Sequence, residues 1–138
     1  MDTDRARLRQ VVLDTTDTRG LAEFYRALLG YDYRPGDEPD ADSDGQAPEW
    51  LVLREPGGTH RVAFQLVAAL PPATWPEGEH PQQLHLDLTV GSAAALDTEH
   101  RRFLDLGATL LLDRSTDPEE PLRVYADPAG HPFCLFVA

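Results

Sequence analysis

Apolar residues along this chain alternate between two periods, and the alternation runs twice. Leu21, Phe24, Tyr25 and Leu28 fall at i, i+3, i+4 and i+7, the single apolar stripe of an amphipathic helix. Leu96, His100, Phe103 and Gly107 hold the same face of a second helix less cleanly. Gly30 and Gly107 follow where a helix ends in a left-handed residue that glycine adopts without steric cost. Around the helices the period drops to two. In 84–90, Leu84, Leu86 and Leu88 share one face while His85, Asp87 and Thr89 share the other. Phe64 and Leu66 likewise oppose Gln65, and Phe133 and Leu135 oppose Cys134.

These segments form an internal repeat. Leu51-Val52-Leu53-Arg54 matches Leu122-Arg123-Val124-Tyr125, and Glu55-Pro56-Gly57-Gly58 matches Asp127-Pro128-Ala129-Gly130, each acidic turn leading to a Phe-x-Leu strand. Each copy reads β-α-β-β-β. The spans are 8–14, 18–29, 31–34, 49–54 and 61–67 in the first copy, and 84–90, 92–106, 108–112, 122–126 and 132–137 in the second. The pattern predicts an α+β protein of two tandem βαβββ modules, residues 1–69 and 84–138, joined by a Pro-rich linker over 70–83. The expected architecture is a cupped, mostly antiparallel mixed sheet with helices on its outer face and a cleft between the modules.

Two stretches escape the repeat. Residues 35–48, with Asp37, Glu38, Asp40, Asp42 and Asp44, read as a solvated, mobile acidic loop; its spacing lacks the glycine and terminal glutamate of a calcium-binding hand. The linker carries Pro71, Pro72, Pro76 and Pro81 and is therefore stiff, with Trp75 expected to pin it to the domain.

Composition then excludes several functions. A net charge of -12 opposes binding to nucleic acid or to anionic membrane surfaces and attracts a cationic small molecule. All twelve basic residues are arginine, so neither Schiff-base chemistry nor pyridoxal phosphate attachment has a lysine to use. One cysteine, Cys134, leaves no intrachain disulfide, and neither a signal peptide nor a long apolar run occurs, so a cytoplasmic location is expected.

The paired modules, Phe24-Tyr25 followed by Leu28-Leu29-Gly30-Tyr31, and the Asp127-Pro128-Ala129-Gly130-His131-Pro132-Phe133 turn resemble the vicinal oxygen chelate superfamily. That superfamily includes glyoxalase I, extradiol dioxygenases and bleomycin-resistance proteins. His85-Leu86-Asp87-Leu88 and Gly130-His131-Pro132-Phe133-Cys134-Leu135 resemble its uncharacterised glyoxalase-like branch. The resemblance implies metal-ligand positions on the first and last strands of both modules, which here are Gln10, Gln65, His85 and Cys134. Both last-strand carboxylates of the family are replaced, by an amide and a thiol. A set of two amides, an imidazole and a thiol offers hard divalent ions no anionic oxygen, so no metal is expected as cofactor and glyoxalase I activity is disfavoured.

Three functions stay open. The first is metal-free binding of a small organic molecule in the cleft; the second is a metal-dependent lyase, isomerase or dioxygenase; the third is a metal-free acid/base enzyme using His85 with Asp87. His85 and Asp87, roughly 7 Å apart at Cα on one strand face, are the candidate catalytic pair. Gln10, Trp50, Gln65, His85, Tyr125 and Cys134 are the candidate ligand contacts. His60 and His131 read as turn residues, and His80 and His100 as exposed. A homodimer is expected, by analogy with relatives whose modules pair within or between chains.

Overall fold

A computed structural model describes residues 5–42, 45–75 and 77–138. Asp44 of the acidic loop and Pro76 of the linker lie outside the described residues. The chain divides into two compact units, residues 1–68 and 69–138. Both have the predicted order. In the first unit, β1 (Val11–Thr15), α1 (Thr18–Leu29), β2 (Asp32–Tyr33), β3 (Trp50–Arg54) and β4 (Arg61–Leu66) form a sheet of order β1-β4-β3-β2. A short 3-10 turn at Pro39–Ala41 interrupts the acidic loop. In the second unit, β5 (Leu86–Val90), α2 (Ala93–Leu106), β6 (Thr109–Arg114), β7 (Leu122–Ala126) and β8 (Pro132–Val137) give the order β5-β8-β7-β6. In each sheet the first strand runs parallel to the last and the remaining pairs are antiparallel.

The helices begin and end where their caps dictate. Asp17 accepts a hydrogen bond from the Gly20 N–H at 2.9 Å, and Ser92 accepts one from Ala95 at 3.1 Å. Gly30 and Gly107 close them with φ of 70° and 114°, a conformation a side chain would strain. Each helix then buries its apolar stripe on its own sheet. Tyr25 stacks on Phe64 with ring centroids 5.9 Å apart in the first unit, and Tyr125 on Phe133 at 5.4 Å in the second. Both tyrosines are fully buried.

β1 and β5 start later than the hydrophobic pattern suggests. Leu8 and Leu84 are exposed and the ladders begin at Val11 and Leu86. The register would place Pro132 opposite His85, and proline has no N–H to give to a ladder. Leu84 therefore does not pack under α2, and His85 sits one residue ahead of its strand.

The acidic loop is tied down rather than free. Arg19 pairs with Asp42, its Nε 2.8 Å from Oδ2, while its Nη1 donates to the Asp37 carbonyl at 2.7 Å and its Nη2 to that of Glu38 at 3.3 Å. Asp37 in turn accepts from the Val52 N–H at 2.9 Å, which fastens the loop to β3. Sequence alone hid this clasp, because a charge run gives no sign of which distant arginine answers it.

The linker also belongs to a unit. A Cβ placed on Gly130 would lie 2.5 Å from the Cβ of Pro72, so the linker rests against the β7–β8 turn and only glycine admits that approach. Thr74 N–H donates to the His80 carbonyl at 2.6 Å, and Thr74 Oγ1 accepts from His80 N–H at 3.0 Å, closing the loop that carries the half-buried Trp75.

Candidate functional site

The parallel pairing of β5 with β8 sets Asp87 directly opposite Cys134. Their neighbours Leu86, Leu88, Phe133 and Leu135 alternate toward α2, so Asp87 and Cys134 share the face turned away from the helix. His85 reaches the same face from just before the strand, its Nε2 3.1 Å from Asp87 Oδ1. One ligand atom from each of His85, Asp87 and Cys134 lies within 4.8 Å of the others. The His85 and Asp87 side chains are 42% and 54% exposed, so this trio is open to a ligand. Burial first, and then the charge and hydrogen bonding of Asp87, push the Cys134 thiol up from its ordinary pKa. It therefore stays protonated at neutral pH and is a poor nucleophile.

The trio alters the argument about metals. The four positions Gln10, Gln65, His85 and Cys134 offer no anionic oxygen, but Asp87, two residues after His85, supplies one beside the thiol. An imidazole, a carboxylate and a thiolate are donors that suit a borderline ion of the zinc type better than magnesium or calcium. Donors around zinc lie roughly 3.3 to 3.8 Å apart, so a span of up to 4.8 Å must contract, and Cys134 must lose its proton, before three protein ligands are in place. The residues fit such an ion in kind. Among the described residues no other group of three such donors converges.

The first unit does not repeat this trio. Gln10 precedes β1 by one residue as His85 precedes β5, and its Oε1 is buried without a hydrogen-bond partner among the described residues. Val12 faces Ala63 where Asp87 faces Cys134. Gln65 lies two residues further along, opposite Asp14 on one side and Trp50 on the other. The shared Phe-x-Leu string misaligned the last strands by two residues, which kept the face but moved the position. Gln65 therefore stands where the second unit has Phe136, and Ala63 is the register equivalent of Cys134.

Tyr125 requires a correction. Matching Leu51-Val52-Leu53-Arg54 to Leu122-Arg123-Val124-Tyr125 is off by one, because Leu53 pairs with Val62 as Tyr125 pairs with Phe133. On a two-residue period that slip reverses the face. Tyr125 lies under α2, fully buried and away from the trio, with its hydroxyl 2.7 Å from His100 Nδ1. Burial pushes its pKa up to about 12. His100 is accordingly half-buried rather than exposed, and burial, with Arg123 nearby, lowers its pKa.

Arg123 escaped the sequence reading altogether. It is 7% exposed beneath α2, donating to the Leu96 carbonyl at 3.2 Å and pairing with Asp97 at 3.0 Å and Asp113 at 3.2 Å. Its spacing of two from Tyr125 was the available signal, since it puts the arginine on the same, core-facing phase of the strand. His60 and His131 are turn residues as expected, their Nδ1 atoms 2.9 Å from Glu55 and 2.8 Å from Asp127.

A family model described as a glyoxalase-like domain matches residues 10–136. No curated protein matches the sequence. Among solved structures, the chain is similar to a glyoxalase/bleomycin resistance protein/dioxygenase family enzyme from Burkholderia phytofirmans PsJN (TM-score 0.69, 18% identity, covering 96% of this chain and 98% of that one). It is also similar to the fosfomycin resistance protein FosX from Listeria monocytogenes, a variant of which is complexed with Mn(II) and 1S,2S-dihydroxypropylphosphonic acid (TM-score 0.68, 14% identity, 97% and 93% covered). Lactoylglutathione lyase from Agrobacterium tumefaciens aligns with TM-score 0.60 and 16% identity over 99% and 96% of the two chains. These likenesses are of fold. No helix among the described residues is long and apolar enough to cross a membrane.

Proposed function

This chain belongs to the family of glyoxalase-like domains, and from that premise we propose that it binds a small organic molecule without a resident metal, using His85, Asp87 and Cys134 for the polar contacts. The convergence of these three side chains on one exposed sheet face carries the reading. His85 Nε2 and Asp87 Oδ1 already satisfy each other at 3.1 Å, so the pair is formed before any ligand arrives. The protonated thiol adds a weak donor and an apolar surface. Asp87, in a protein of net charge -12, favours a ligand with a positively charged head.

Screening wild-type and His85→Ala proteins against a small-molecule library by thermal shift tests this. A hit that stabilises the wild type and leaves His85→Ala unmoved supports the reading. A hit that stabilises both equally assigns the ligand elsewhere.

A second reading rests on the same trio. Its donor types suit a zinc-class ion, and the FosX relative is complexed with Mn(II). Bound there, such an ion would supply Lewis acidity, with His85, Asp87 and Cys134 as its protein donors. Metal content of protein purified without a metal-binding tag separates the readings: far less than one equivalent is expected, and a stoichiometric ion lost in Asp87→Asn would reverse the choice. We also infer a homodimer, supported by the exposed Leu110 and Leu111 on edge strand β6. Light scattering at the monomer mass across micromolar concentrations would overturn it.

A further inference from the structure

Described residues of the clasped acidic loop border an open hollow of about 650 Å³ within the first unit, lined by Arg19, Asp42, Glu49, Trp50, Leu51 and Leu66 among others. That size is typical of cavities that hold small organic molecules. Its walls are fixed before any ligand arrives. Arg19 holds Asp42 and the carbonyls of Asp37 and Glu38, Thr18 Oγ1 donates to the Pro48 carbonyl at 2.5 Å, and Leu66 N–H donates to the Glu49 carbonyl at 2.9 Å.

The charges around the hollow select its occupant. Arg19 is its one lining cation, and Asp42, the two carbonyls and the face of Tyr33, 4.9 Å from its Cζ, already engage it. An anion would find no uncommitted positive group there. Asp37 and Asp42 are likewise committed, to Val52 N–H and Arg19, which leaves no cluster of free donors for a metal ion among the described residues. Exposed Glu49 remains, lining the same hollow as the half-buried Trp50 and Leu66. An indole and a carboxylate lining one partly apolar hollow suit an organic cation.

We propose that this hollow is a second binding site, for an organic ammonium ion whose charge lies against Glu49 and whose alkyl groups lie against Trp50 and Leu66. It is separate in sequence and in unit from the His85, Asp87 and Cys134 trio, and it does not depend on what that trio does.

Trp50 and Trp75 are the two tryptophans of the chain, so Trp75→Phe leaves Trp50 as the sole indole, excited selectively over the tyrosines at about 295 nm. Titrating that variant with choline, and with the neutral isostere 3,3-dimethylbutan-1-ol, tests charge at constant shape. Saturable change with choline is expected, at least threefold weaker with the alcohol and in a Glu49→Gln background, and unchanged by His85→Ala. Should Trp75→Phe not fold, the two indole N–H resonances of the wild type provide the same readout. No saturable change at millimolar choline, an equal response to the alcohol, or a response lost with His85→Ala but kept with Glu49→Gln would overturn the proposal.

Discussion

The two modules share a topology and a register, yet equivalent positions carry opposite chemistry. On the face away from the helix, Gln10, Val12 and Ala63 of the first unit correspond to His85, Asp87 and Cys134 of the second. On the helix face, Leu51 corresponds to Arg123, since they pair with Phe64 and Leu135 respectively. The first unit has no buried charge under its helix and, among the described residues, no titratable trio. The second has a buried arginine network on one face and the trio on the other. A duplicated scaffold thus keeps its backbone ladder, which any side chain can join, while individual positions are free to diverge.

The largest effect should come from removing the buried arginine beneath α2. Arg123→Ala leaves the Leu96 carbonyl without that donor and a void under α2; a loss of about 2 to 4 kcal/mol is expected in urea unfolding. Asp97 and Asp113 are 61% and 42% exposed and can return to water, so their lost pairing adds little. Arg123→Leu installs what the first unit has at this position and should recover more than half of that loss. Equal destabilisation by alanine and leucine would mean that the two cores are not interchangeable there.

The fold was legible because it rests on patterns that repeat. The helical stripe at Leu21, Phe24, Tyr25 and Leu28, the two C-terminal glycines and the alternation in β8 each fix an element locally, and α1, β7 and β8 occupy the expected spans. The site was legible only in part. Period-two alternation put His85, Asp87 and Cys134 on one face, but cross-strand register depends on turn length. The β3–β4 turn spans Glu55 to His60, and the β7–β8 turn is one residue shorter, Asp127 to His131. Matching similar strings across turns of unequal length displaced Gln65 and reversed Tyr125. Long-range polar ties such as Arg19 to Asp42 and Arg123 to Asp97 leave no periodic trace at all.

The next effect separates the two tyrosines. Tyr125→Phe removes a buried hydroxyl and its partner at His100 and should cost about 1 kcal/mol. The pair also makes the second unit sensitive to acid. The folded pKa of His100 is lowered from 6.5, chiefly by burial, so the unfolded chain binds the proton more readily. Its contribution is present above the unfolded value and is lost as pH falls from there through the lowered folded value. Stability measured from pH 7 downward should decline over that window, and His100→Gln should flatten the decline. An unchanged slope would assign the loss to other groups.

A smaller change in stability, with a large change in binding, is expected at the trio. His85 is 42% exposed and lies outside the ladder, so His85→Ala should move the unfolding free energy by less than about 0.5 kcal/mol while abolishing ligand stabilisation. Its counterpart Gln10→Ala removes a buried orphan acceptor and should leave stability unchanged or raise it. A loss of 1 kcal/mol or more at His85 would give that histidine the structural role its exposure argues against.

The smallest effect should appear at Cys134, where it reads the one interaction that most distinguishes the units. Burial raises the thiol pKa first, and the charge and hydrogen bond of Asp87 raise it further. Asp87→Asn removes only the later contributions, because the asparagine keeps the shape and leaves the thiol as buried as before. The thiolate fraction at a fixed pH near 8 should then rise, and alkylation of Cys134 by iodoacetamide should quicken by a factor of about 2 to 5, its pH midpoint moving to lower pH. Opening of the structure would quicken alkylation as well, so the same variant must melt within a degree or two of the wild type. A faster rate with an unmoved pH midpoint would show access rather than charge at work. An unchanged rate would mean that burial alone governs this thiol and that Asp87, although opposite it in the ladder, does not act on it.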